Sequence, residues 1–216
     1  MSVLIDNLPL LLRGFWMTLV LSVLAGIGAM VLGTVLAGLR VSPSGPLRGL
    51  GYAYVELLRN TPLTVVFFFM AFGLPQVDLA LPSFFWSGLL ALVLYTAAFV
   101  CEAIRSGINA VPPGQAEAAR ALGMPFGQVL GQVVLPQAIR TVIPPLGNVW
   151  IALVKNSSIA SAFAVTELTA VLSRLSNATA GALVWIGLGV ALGYLVITLP
   201  SGWAVSRFER RLAVLR

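Results

Sequence analysis

The sequence of 216 residues contains no histidine, a single cysteine and a single lysine. With Cys101 alone, an intrachain disulfide is impossible, and metal sites built from cysteine and histidine are excluded. Charge is scarce as well, at 9% of the residues against about a quarter in a soluble domain. Phosphate-cradling loops end in Gly-Lys-Ser/Thr, whereas Lys155 stands between Val154 and Asn156. The chain is therefore expected to bind no nucleotide, metal or other cofactor of its own. It also lacks the His–Asp or Asp–Asp pair that an intramembrane enzyme would need. Ion-coupled transporters place carboxylates or histidines at mid-membrane depth, and here Glu56, Glu102 and Glu167 fall near the ends of apolar runs. The N-terminus does not read as a signal peptide, because Asp6 occupies the region that should be basic.

What the sequence does have is apolar length. Hydrophobic residues make up 59% of the chain, and a helix crosses a bilayer with roughly 20 of them. Five such segments are predicted, at 15–39, 52–74, 84–108, 141–165 and 182–205. No linker or low-complexity block divides them, so residues 1–216 read as one all-α integral membrane domain. The net charge of +6 suggests nucleic acid at first sight. Its distribution suggests membrane loops instead. Arg40, Arg48, Arg59, Arg105, Arg120 and Arg140 lie on alternate loops, and Arg207, Arg210, Arg211 and Arg216 lie in the C-terminal tail. The other side holds only Arg13 and Arg174. The arginine-rich side should be cytoplasmic, with the N-terminus out, the C-terminus in, and no nucleic-acid partner. Gly189/Gly193 and Gly33/Ala37 are spaced for close helix contacts. The five tryptophans read as interface anchors or packing.

Residues 112–140 break this pattern. Residues 115–122, rich in Ala, Glu and Leu, predict a short helix. Gly123 suits the left-handed position that closes it, and Pro125 suits the first turn of a second piece. Phe126, Val129, Leu130, Val133 and Val134 form a one-sided apolar stripe on that piece. Pro136 should stop or kink it, and Pro144-Pro145 should bend the entry to the fourth span. The result is an elbow on the cytoplasmic side, either a structured loop lying on membrane lipid or a docking surface.

The stretch "EAARALGMPFGQVLGQVVLP" resembles the EAA loop of ATP-binding-cassette (ABC) importer permeases. The pattern falls on Glu117, Ala118, Ala119, Gly123, Val133, Leu135 and Pro136, with Val133 where Ile is usual. The resemblance implies the type I permease fold, with this elbow as the coupling helix that inserts into a cytoplasmic ATPase. "ELLRNTPL", "YTAAFVCEAIRSGINAVPPGQ", "PLGNVWIALVKNSSIAS" and "TEL" look like the branch that imports polar amino acids. "RVSP", "RSGIN" and "KNSSIAS" are most similar to actinobacterial glutamate uptake permeases. What the resemblance implies is a subunit of a bacterial plasma-membrane importer for glutamate, with glutamine, arginine, histidine or an opine as alternatives. Its implied partners are an ATPase dimer that uses the ATP, a second related or identical permease, and an extracytoplasmic solute-binding protein. A free-standing channel or an ion-coupled transporter is the competing reading.

Further residues attract attention. Glu102 and Arg105, and Glu56 and Arg59, are spaced to pair along a helix. Leu168, Val171, Leu172 and Leu175 share one face of a short helix expected to be interfacial. Asn148, Ala152, Lys155, Ser158 and Ala162 form a polar, small-residue stripe on the fourth span. Asn148, Lys155 and Ser158 either line a translocation path or hydrogen-bond to neighbouring helices and hold the bundle together.

Overall fold

In the computed structural model, residues 2–179 and 181–213 are described; Arg216 of the tail lies outside them. Every regular element among them is helical. In chain order these are α1 (Ser2–Asp6), α2 (Leu8–Val41), α3 (Gly45–Asn60), α4 (Leu63–Phe68), α5 (Phe84–Asn109), α6 (Pro113–Ala121), α7 (Phe126–Gln128), α8 (Leu135–Asn156), α9 (Leu168–Ala178) and α10 (Leu183–Ala213). Among the described residues, four helical stretches are long and apolar enough to cross a membrane: Leu8–Val41, Phe84–Asn109, Phe126–Phe163 and Leu183–Arg210. A fifth crossing arises if Gly45–Asn60 and Leu63–Val77, bent by 104° at their junction, act as one span.

That bend corrects the second expected span, which a hydropathy window reads as continuous. Pro62 cannot donate a helical hydrogen bond, and its ring drives the preceding residue out of the α region. Thr61 accordingly sits at φ −97°, ψ 131°. Its hydroxyl donates to the Leu57 carbonyl at 2.7 Å, covering an acceptor that the break leaves open.

The fourth span is corrected in the opposite sense. The elbow's second piece is not cut off at Pro136 but runs on into it. Helix continues from Phe126 to Phe163, through a π turn at Val129–Val134 and a tight 3-10 segment at Ser157–Phe163. The π turn explains how Pro136 is tolerated. Leu135 N–H already reaches back five residues to Leu130, and a π turn absorbs the register slip that a missing donor would force. Pro144 and Pro145 are likewise carried inside α8.

The core forms where α2 packs along α5, with α8 and α4 closing over it. Leu21, Ala25, Phe67, Leu92 and Leu153 meet there without exposed surface or nearly so. A second cluster joins Ala29, Ala37 and Val55 to Ala97 and Cys101 nearer the α3 end. Gly189 and Gly193 of α10 do not meet another long helix. They face side chains of Leu4 and Leu168, on α1 and α9. Helix α9 buries Leu168, Val171 and Leu175, so its apolar face is covered by protein rather than by an interface.

Candidate functional site

The elbow is built from its termination signal outward. Helix α6 ends in a Schellman motif: Gly123 N–H donates to the Arg120 carbonyl at 2.9 Å and Met124 N–H to the Ala119 carbonyl at 3.2 Å. Gly123 has φ +82° and nothing within 4 Å of where a Cβ would sit. The glycine is therefore required by backbone conformation and not by crowding. Ala119 and Val129 are buried in the seam between the two arms. Glu117 and Ala118 are exposed, and so are Leu135 and Pro136 where the second arm joins α8. Leu122 and Phe126 are 84% and 72% exposed. Two large apolar side chains stand at the tip of a polar elbow with little cover from the described residues. Phe126 thus leaves the stripe expected of it, while Val133 and Val134 stay partly buried.

The two arms return to the bundle together. A Cβ on Gly107 would lie 2.0 Å from Val142 and 3.1 Å from the Ala138 carbonyl, so α5 and α8 touch backbone to backbone there. Thr141 Oγ1 donates across the same contact to the Gly107 carbonyl at 3.1 Å.

Beside this contact sits a charge cluster that the sequence showed only in part. Arg105 donates to Glu102 through two nitrogens, at 3.2 and 2.8 Å. Arg40 from α2 and Arg59 from α3 reach the same carboxylate at 3.1 and 3.7 Å. The guanidiniums of Arg40 and Arg59 also lie over the rings of Tyr52 and Phe99. Three helices are thus held at one acid. Glu56, the expected partner of Arg59, instead accepts from Asn60 at 3.1 Å. A second missed residue is Glu167. It has no exposed surface, caps α9 by accepting Ala170 N–H at 2.9 Å, and accepts from Tyr194 and Thr18. Burial pushes its carboxyl above the ordinary range, while hydrogen bonds from Thr169, Tyr194, Ala170 and Thr18 pull it back. The N-cap position immediately before an apolar helical stripe was the available sequence clue.

The polar stripe of α8 is divided. Asn148, Ala152 and Lys155 are exposed on the face away from Leu153 and Val154, which are buried. Asn148 and Ala152 line a cavity of about 360 Å³ with Tyr95, Thr96, Phe99 and Asn156. Lys155 and Ser158 are not among its lining residues. Ser158 follows the change to 3-10 winding, whose 3.0 residues per turn break the 3.6 period. Its hydroxyl donates to the Lys155 carbonyl at 2.7 Å.

A profile of the family described as "binding-protein-dependent transport system inner membrane component" matches residues 29–214. The chain belongs to this family. The permease is 44% identical over 211 residues to the "Probable glutamine ABC transporter permease protein GlnM" of Bacillus subtilis, covering 98% of this chain and 97% of that one. It is 43% identical over 217 residues to the "Glutamate transport system permease protein GluC" of Corynebacterium glutamicum, at 95% coverage of each. Its fold superposes with TM-score 0.90 and 36% identity on a solved "amino acid ABC transporter with histidines", covering 96% of both chains. It is an amino acid ABC transporter permease, and the EAA pattern lies on the exposed elbow of that fold.

Proposed function

We propose that this permease forms the translocation path of a bacterial plasma-membrane importer for glutamate. Its bent pair completes five spans, with the N-terminus outside and the C-terminus in the cytoplasm. The elbow of Glu117, Ala118, Ala119 and Gly123, continued through Leu135 and Pro136, docks into an ATPase dimer, which consumes the ATP. A second permease, related or identical, covers the open face of α8, so that Asn148 and Lys155 face the path, with Ser158 at its margin. A solute-binding protein delivers substrate from outside. The observation that carries the coupling role is the Gly123-closed elbow presenting Leu122 and Phe126 uncovered. Relatedness to a glutamate permease supports the substrate, and relatedness to a glutamine permease makes glutamine the second reading.

Uptake of labelled glutamate by cells with and without the chain, competed by unlabelled glutamine, arginine and histidine, tests the substrate. Competition by glutamine in excess of unlabelled glutamate would favour the second reading. Glu117→Lys and Gly123→Val test the coupling. Valine at φ +82° incurs about 1–2 kcal/mol of steric cost, enough to reshape the elbow. Both variants should insert normally yet lose ATP-driven uptake, and wild-type uptake by either would refute the coupling role.

A further inference from the structure

Helix α10 shows an ordered face that neither the path nor the elbow uses. Leu188, Leu192, Leu195, Leu199 and Trp203 recur at i, i+4, i+7, i+11 and i+15, and all five are exposed. They make a strip of about 22 Å at about 1.5 Å per residue, longer than one leaflet's half of a ~30 Å hydrocarbon layer. Arg207 and Arg210 continue the same line and are exposed. The Arg207 guanidinium lies 4.9 Å from the centre of the Trp203 ring. Trp203, Ala204, Arg207 and Phe208 line an open cavity of about 330 Å³. Every ion pair among the described residues is made by Glu102, so neither arginine is neutralised there. Glu209 lies between them in sequence but points off the strip, since adjacent helical residues do not face each other.

We infer that this face binds an anionic phospholipid, its acyl chain along the leucines and its phosphate between Arg207 and Arg210. The order along the strip is aliphatic, then aromatic, then cationic, which is the order of a lipid from tail to headgroup. Two guanidiniums that pair with no carboxylate among the described residues favour a headgroup of net negative charge over a zwitterionic one, whose ammonium they would repel. An α-helical protein partner would match the leucines but gives no reason for the aromatic-to-arginine ending.

The test uses the purified transporter with its partner subunits, in nanodiscs holding equal amounts of phosphatidylglycerol and phosphatidylcholine. Lipids retained on release are counted by native mass spectrometry. The wild type should retain phosphatidylglycerol preferentially. In Arg207→Gln/Arg210→Gln that preference should fall by roughly tenfold or more, with subunit composition unchanged. Arg207→Lys/Arg210→Lys keeps the charge and should keep most of the preference, which separates lost charge from misfolding. Three results would overturn the inference: equal retention of the two lipids by the wild type, an undiminished preference in the glutamine variant, or loss of a partner subunit from that variant. The last would assign the face to a protein contact.

Discussion

At the scale of single residues, Glu167 joins a carboxyl group to complete burial. Its pKa is raised by that burial, so the folded state holds the proton to higher pH than the unfolded chain does. The resulting stabilisation is full below the ordinary carboxylate pKa and fades as pH rises through the raised value. Glu167→Gln keeps the neutral shape; its oxygen can take Ala170 N–H, and its amide can donate to Tyr194, which can turn its own proton to Thr169 at 3.0 Å. The thermal midpoint of the purified variant is expected to match the wild type at acid pH and to gain on it as pH rises. Parallel pH profiles would count against the buried-carboxyl account. Lys155 raises the opposite problem, a cation exposed on the outer face of an apolar helix. Facing lipid near mid-bilayer it would cost about 2.5–3.5 kcal/mol on insertion scales, so it must meet protein or water. Lys155→Met keeps the length without the charge. It should assemble at normal levels and fail to transport, and unimpaired uptake would return Lys155 to a packing role.

Among elements, the decisive contacts are those that tie α2, α3 and α5 at Glu102 and α5 to α8 at Gly107. The Glu102 side chain retains 19% of its surface and Arg40 12%, while Arg59 at 40% is screened by solvent. Losing the charge while leaving three guanidiniums together should cost about 1.5–3 kcal/mol, the range for hydrogen bonds to charged groups. Glu102→Gln is therefore expected to lower the thermal midpoint of the purified permease and to speed proteolysis at the α2–α3 turn. An unchanged midpoint with an unchanged cleavage rate would mean that apolar packing alone holds the three helices. A helix-by-helix reading of the sequence recovers Arg105, because it lies three residues away on the same helix. It cannot recover Arg40 or Arg59, whose approach depends on where three helices cross.

For the whole molecule, the parity of crossings matters. Four spans would leave both termini on one side, whereas a bent pair that crosses as one span would make a fifth and separate them. Reporter fusions at residues 80, 118 and 176 are expected to read outside, inside and outside. If the bent pair merely dips and returns, residue 80 will report the same side as the turn after α2, and the arginine asymmetry would lose its explanation. The sequence foresaw where such long apolar runs fall but not the 104° break at Thr61-Pro62, although Pro62 was in view. A hydropathy window sums transfer free energies and takes no account of a missing backbone donor.

The sequence by itself determined that the chain is helical and membrane-seated, because 59% apolar residues in runs this long have no other place to be buried and the backbone must satisfy its own hydrogen bonds. It also determined the elbow, since Gly123 and its flanking prolines act locally, through φ and a missing N–H. Tertiary structure decided the rest. It buried Glu167 between α2, α9 and α10, gathered three arginines on Glu102, carried the second arm of the elbow unbroken into α8, and turned Asn148 but not Ser158 toward the cavity. Each of these depends on how helices distant in sequence are rotated and cross. Side-chain periodicity fixes which residues share a face, and only packing fixes what that face meets.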